Sequence, residues 1–400
     1  MTSPRQETLD RPAPALPSRI AALPRVGSRV TDQRIAQLKA QGREILPLTA
    51  YPHRELPESA LAAGRAALDR LDHPPARGLR GLRAALADYW GRLTAHAYDP
   101  DREVLITAGT MHALMTCFMA ILDPGDEVLL PTPAYFFDGS VVLAGGVLRF
   151  VPFDEADDFR WRPERLEAAV GPRTRAILLN TPTNPTGAVA SRDDLEQIAA
   201  IAEKHDLYVI CDESYDRLVY DGGRHVSLLE CETARDRLIL AASFTKSFAM
   251  ANWRVGYLIG PPPVMDAALK ALEWSFLYGP LVNQCVAEAV LRHDLSWLDG
   301  VGAEFQANRD RLCAALAADP RLSFVRPRGN PFIFLNVSRL GDDARVASHL
   351  LEHHGLPCTA GHLHGAPGYL RVAFGGPPAA VDEAARRILR AADELAGDNS

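Results

Sequence analysis

RAILLNTPTNPTGAVASRDDLEQIAAIAEKHDLYVICDESY, residues 175–215, sets two apolar runs, RAILLN (175–180) and LYVIC (207–211), on either side of a stretch with helical spacing. That stretch, SRDDLEQIAAIAEKHD (191–206), opens on Ser191, a residue suited to cap a helix N-terminus. Strand, helix and strand in this order predict two parallel neighbours joined by a crossover helix. The pattern recurs outward in both directions, at EVLIT (103–107), DEVLL (126–130), VLRFV (147–151), LILAAS (238–243) and VGYLIG (255–260). Runs apolar at successive positions suit strands covered on both faces, so the fold class is α/β, a mostly parallel sheet flanked by helices. Helical periodicity fills 54–95 ahead of it. Beyond a helical stretch near 296–318 the pattern turns mixed. Strands are predicted at FIFLNVS (332–338) and YLRVAF (369–374) and a last helix over 380–396, the composition of a smaller α+β domain.

At 400 residues the chain exceeds what one hydrophobic core serves, which also argues for two domains. Its charge, 43 − 50 = −7, carries no basic stripe, so nucleic acid and anionic membrane are poor partners. Six cysteines without a C-x-x-C pair read as reduced thiols of a cytoplasmic protein. No apolar secretory segment is visible near the N-terminus, where MTSPRQETLDRPAPALP predicts a flexible arm over 1–17. Val104 to Leu122 is uncharged, but Gly109, Thr110 and His112 within it and Glu103 and Asp123 beside it predict a strand turning into a helix, and no membrane span.

Ligands of open parallel sheets bind beyond the carboxyl ends of the strands, so the residues after each run are the ones to read. EVLIT is followed by Gly109 and Thr110, where backbone N–H groups and a hydroxyl can hold a phosphate. DEVLL is followed by Tyr135 and Phe136, flat rings able to stack on another. RAILLN leads into TPTNPTG with Asn184, whose bond to Pro185 is a candidate cis peptide. LYVIC ends on Asp212, a carboxylate that needs a partner if buried, with Tyr215 three residues on. LILAAS runs into SFTKSFAMANWRVG (243–256), where Lys246 lies among small and apolar residues between Ser243 and Arg254. Taken singly, each is an ordinary turn, cap or surface residue. Together, an anion cradle, a ring, an amide, a carboxylate and a desolvated lysine suit pyridoxal 5′-phosphate, which needs an amine for its aldehyde and a carboxylate at its ring nitrogen.

At TPTNPTG, CDESY and SFTKSFAMANWRVGY the sequence resembles the fold type I pyridoxal-phosphate enzymes, specifically the class I and II aminotransferases, over about residues 45–395. The resemblance implies a large cofactor-binding domain at 51–289, of the aspartate-aminotransferase kind, and a small domain assembled from 18–50 and 290–400. It implies that Lys246 is the internal-aldimine lysine and proton shuttle, and that Asp212 pairs with the ring nitrogen. Tyr215 and Asn184 would meet the phenolic oxygen, Gly109, Thr110, Ser243 and Arg254 the phosphate, and Tyr135 the ring face. Arg371, in YLRVAF, matches the arginine that clamps the substrate carboxylate, a task for a bidentate fork. An amino-acid substrate and a homodimer with shared active sites are implied as well.

Departures from the family pattern gather on the substrate side. Ala50 stands where many relatives have glycine, and His73 where a tyrosine reaches the neighbouring subunit's phosphate. Asn252 replaces a glycine, and Ala360 and His364 replace the Pro and Phe of P-G-x-x-F-G. Met111 stands where some aspartate-using relatives place lysine, which weakens a dicarboxylate substrate. His73, His362 and His364 are candidates for substrate contact or proton transfer. His349 and His353, at i and i+4 in RVASHLLEHHG, have metal-ligand spacing but no acid or thiol placed to complete a site; they read as solvated helix residues, and no metal is expected. The expected activity is transamination of an amino acid. The alternative keeps the cofactor but eliminates, replaces or cyclises, as in relatives resembling 1-aminocyclopropane-1-carboxylate synthase acting on S-adenosylmethionine. A transcription regulator with an aminotransferase-like domain is set aside, because only about 45 residues, not strongly basic, precede the matching region.

Overall fold

The computed structural model describes residues 17–21, 23 and 27–397, so the arm expected over 1–17 lies, but for Pro17, outside the described residues. Seven strands build the central sheet: β1 (Val104–Thr107), β2 (Glu127–Thr132), β3 (Val147–Pro152), β4 (Thr174–Asn180), β5 (Tyr208–Asp212), β6 (Leu238–Ser243) and β7 (Gly256–Ile259). Their order is β1-β7-β6-β5-β4-β2-β3. From β6 to β3 all neighbours are parallel, while β7 runs antiparallel to both β1 and β6.

The apolar runs are continuous because both faces are covered, and successive side chains go to opposite faces. Ile177, Leu179, Val209, Cys211 and Leu240 enter one core, with helices Glu58–Ala67, Arg80–Thr94, Arg192–His205 and Leu281–Arg292. Ala176, Leu178, Ile210 and Ile239 enter the other, with helices Thr110–Ile121 and Pro262–Ser275. The predicted Ser191 cap is present as a capping box: its hydroxyl accepts from the Asp194 N–H and the Asp194 carboxylate accepts from its own. The uncharged stretch at 104–122 is β1 followed by helix Thr110–Ile121.

A second sheet, antiparallel throughout, comprises β8 (Ser323–Phe324), β9 (Phe332–Asn336), β10 (Thr359–Ala360) and β11 (Tyr369–Ala373) in the order β10-β11-β9-β8. Helices Val301–Leu316 and Asp343–His354 pack on the C-terminal helix Pro378–Gly397 beside it. Leu46 joins this core from the N-terminal side, and Thr49 and Gly375 exchange backbone hydrogen bonds of 3.0 and 3.1 Å. The same core takes in Tyr215, Leu218 and Tyr220, which follow β5 of the large sheet. Among the described residues no helix is long and apolar enough to cross a membrane.

Candidate active site

The carboxyl ends of β1, β2, β4, β5 and β6 and the start of β7 face one cavity of about 760 Å³. The reversed direction of β7 is what brings Arg254 there. Gly256, its first residue, pairs with both Thr107 at the end of β1 and Ser243 at the end of β6, so the residues just before it lie beside the ends of its neighbours. Thr110, Tyr135, Asn184, Asp212, Tyr215, Ser243, Lys246, Arg254, Arg371 and Ala50 all line the cavity, residues the sequence scatters over more than 300 positions.

Gly109 ends the turn between β1 and the helix at Thr110, with φ +90° and ψ 168°, a conformation reserved for glycine. A Cβ there would lie 2.3 Å from Arg254 Nη2, and one on Gly256 would lie 2.5 Å from Gly109 Cα. The two glycines let β7 and the Arg254 guanidinium close against the helix N-terminus. Arg254 donates to the Ala108 carbonyl at 3.3 Å and to Thr245 Oγ1 at 3.4 Å. Thr110 Oγ1 lies 3.0 Å from Ser214 Oγ, and the Ser243 side chain caps the short turn that carries Thr245 and Lys246. N–H groups at a helix start, hydroxyls and a guanidinium form a cradle fitted to a phosphate.

Across the cavity, Asn180 at the end of β4 orders the polar groups. Its amide donates to the Asp212 carbonyl at 2.9 Å, and its oxygen accepts the Asn184 N–H at 2.7 Å. Asn184, which precedes a cis peptide to Pro185, donates from Nδ2 to Tyr215 Oη at 3.2 Å and accepts at Oδ1 from Arg371 Nη1 at 3.1 Å. Arg371 also reaches Thr359 Oγ1 at 3.2 Å, with its guanidinium 4.5 Å from the Phe332 ring centre. Asp212 accepts the Ser214 N–H at 3.0 Å. Burial pushes the Asp212 carboxyl up to about 6. Burial first, then the charges of Arg371 and Arg254, bring Lys246 down to about 8, against the opposing pull of Asp212. The Lys246 ammonium lies 5.0 Å from the centre of the Tyr51 ring. Burial also lowers Arg371 and raises Tyr215.

Sequence reasoning missed Asn180, Tyr51, Thr245 and Ser214. Asn180 carried a legible signal, a polar residue closing a run of buried ones.

The three candidate histidines do not line this cavity. His73 Nδ1 lies 2.8 Å from Tyr278 Oη on the surface, and His362 pairs with Asp343 at 3.1 Å. His364 is buried, its Nδ1–H donating to the Ala134 carbonyl at 2.8 Å and its ring stacked 4.8 Å from Phe136, and burial holds it neutral. The metal-spaced pair is corrected as well. The imidazoles that converge are those of His349 and His354, and a carboxylate does reach them, Glu394 of the C-terminal helix.

Comparison with known proteins agrees with this architecture. The sequence model of the family "Aminotransferase class I and II" matches residues 49–388. The chain is 35% identical over 370 residues to an arginine–pyruvate transaminase of Pseudomonas aeruginosa, covering 89% of this chain and 92% of that protein. It is 32% identical over 383 residues to an aspartate/prephenate aminotransferase of Thermus thermophilus, covering 94% and 98%. Its fold superposes on the aspartate aminotransferase of Thermus thermophilus with maleate at a TM-score of 0.89, with 30% identity, over 94% of this chain and 100% of that one. With the seven-stranded sheet and the family match over most of its length, the chain belongs to the class I and II aminotransferases, enzymes that transaminate amino acids with pyridoxal 5′-phosphate.

Proposed function

We propose that the cavity is the seat of this transamination and that Lys246 is the amine that bonds the cofactor and carries the proton. Pyridoxal 5′-phosphate supplies an aldehyde and a ring that stores the electron pair released with the substrate α-proton. The rest falls to this chain. Lys246, lowered to about 8, is partly neutral near neutral pH and therefore both nucleophile and base. Asp212 offers its carboxylate to the ring N–H, and an opposing cation restores the charge that burial disfavours. Gly109, Thr110, Ser243 and Arg254 would hold the phosphate, joined by Thr245. Tyr135 would face the ring, and Tyr215 and Asn184 its phenolic oxygen. Arg371 takes the substrate carboxylate, with Ala50 beside the substrate backbone. One observation carries the reading: the one lysine among the described lining residues is drawn down by burial and by two arginines, opposite a buried carboxylate.

The donor we propose carries no distal carboxylate. Lys246, Arg254 and Arg371 are the lysine and arginine side chains among the described residues of this lining, and each already has a task. Met111 adds a thioether to the wall. A neutral or basic side chain fits such a wall better than a second anion does.

The division into a large domain over 51–289 and a small one from 18–50 and 290–400 belongs to the same proposal, supported by the separate core around β8–β11. So does a homodimer. Leu71 is 95% and Trp274 93% exposed, and a hydrogen bond between His73 and Tyr278 links the segments that carry them. A second copy covering these two side chains would also bring His73 toward its neighbour. Cytoplasmic residence is supported by the six free cysteines.

The test is a half-reaction: cofactor-loaded protein mixed with single amino acids and with S-adenosylmethionine, without any oxo acid, while cofactor spectrum and product mass are followed. Pyridoxamine phosphate accumulating with one 2-oxo acid is the expected result. Turnover that leaves pyridoxal and releases ammonia, a leaving group or a cyclised product would replace transamination by the elimination class.

A further inference from the structure

The small domain holds a side-chain cluster that transamination does not use. We propose that His349, His354 and Glu394 form a binding site for a borderline divalent transition ion, with zinc as the reference case. The ion would clip helix Asp343–His354 to the C-terminal helix Pro378–Gly397. The Nε2 atoms of His349 and His354 lie 2.8 and 2.9 Å from one and the same oxygen, Glu394 Oε2. All three ligand atoms fall within 4.8 Å of one another. Imidazole nitrogen with a carboxylate oxygen is a donor set suited to zinc, nickel or copper, and unsuited to calcium or magnesium.

A helix C-terminus attracts histidines through its dipole, and His353 and His354 do sit in the last turn. The dipole does not explain why two imidazoles converge on one oxygen that arrives from 40 residues further along the chain. The ligands are also partly fixed. The His354 side chain is 7% exposed, and Arg387 binds its carbonyl. Arg387 is itself neutralised by Glu383 at 2.7 Å, so its charge does not oppose an incoming cation in full.

Ligand atoms around a tetrahedral zinc at about 2.0–2.1 Å lie about 3.3 Å apart. The cluster must therefore open by about half an ångström on the carboxylate side, a small motion for a Glu394 side chain that is 44% exposed. Both Nε2 atoms now donate to the carboxylate. Binding moves each proton to Nδ1 or to solvent and leaves the nitrogen lone pairs to the metal. His353 is exposed, its ring centre 4.7 Å from that of His349, and it or a water supplies the fourth position.

Chelator-treated holoenzyme is titrated with zinc chloride by calorimetry, and cobalt(II) chloride is added in parallel to read coordination by visible absorption. One equivalent per chain, a tetrahedral cobalt spectrum and a melting midpoint raised by zinc are expected. His349→Ala with His354→Ala removes two ligands and should weaken zinc by more than about 100-fold. Glu394→Gln, at an exposed position, should weaken it by at least about 10-fold even if the double variant folds poorly. Half-reaction rates of folded variants should match the parent, since none of these residues lines the active-site cavity. No saturable binding to the parent, or equal binding to Glu394→Gln, overturns the proposal.

Discussion

Replacing Gly109 by alanine separates what the cofactor cradle owes to backbone shape from what it owes to charge. The residue sits at φ +90°, ψ 168°, and alanine there costs about 1–3 kcal/mol of strain whether or not cofactor is present. The new Cβ would fall 2.3 Å from Arg254 Nη2, so the guanidinium must withdraw from the cradle. A hydrogen bond from a charged group is worth about 1.5–3 kcal/mol. At 1.36 kcal/mol per decade, its loss weakens cofactor binding about 10- to 150-fold. The two effects have different readouts. Strain lowers the melting midpoint of the cofactor-free protein. Loss of Arg254 raises the dissociation constant for pyridoxal phosphate, measured by absorbance titration of the same protein. A Gly109→Ala protein that melts lower yet binds cofactor as tightly as the parent would refute the assignment of Arg254 to the phosphate. An unchanged melting midpoint would refute the strain.

With Lys246 near 8, cofactor capture by the cofactor-free protein should rise about tenfold per pH unit up to about pH 8 and level off above 9; a rise continuing past 9.5 would mean an ordinary lysine. Arg371→Lys keeps the charge but loses the fork and the packing on Phe332, so KM for the donor should rise about 10-fold or more with kcat less affected, and an unchanged KM would move the carboxylate site elsewhere. Asp212→Asn should cut the half-reaction about 100-fold while leaving cofactor bound, and full activity would remove the carboxylate from the ring nitrogen. Leu71→Glu with Trp274→Glu should turn a dimer into monomers by sedimentation velocity; a parent protein that already sediments as a monomer would end the dimer proposal.

What the sequence made legible follows from burial. β4, β5 and β6 are covered on both faces, so their apolar runs have no gaps and their ends stand out. The direction of β7 was hidden, because a strand buried on both faces has the same composition whether it runs with or against its neighbours. β8 and β10, two residues each, are too short for any periodicity to register. Tyr51 acts through a contact made by chain folding and leaves no pattern of its own, whereas Asn180 shows as the polar residue that closes an apolar run. The histidine cluster misled for a similar reason. Spacing along one helix favoured His353, whereas the helix end and a distant carboxylate select His354.

The amide of Asn184 has a fixed polarity. Arginine has only donors, so the oxygen of that amide must face Arg371, and its nitrogen must face Tyr215. Tyr215 Oη is thus obliged to receive, and its own hydrogen is left over. A phenol that accepts on one side has a proton to give on the other, where the cavity lies. The direction of that proton is decided at the guanidinium of Arg371, 187 positions along the chain from Asn184, before any substrate arrives.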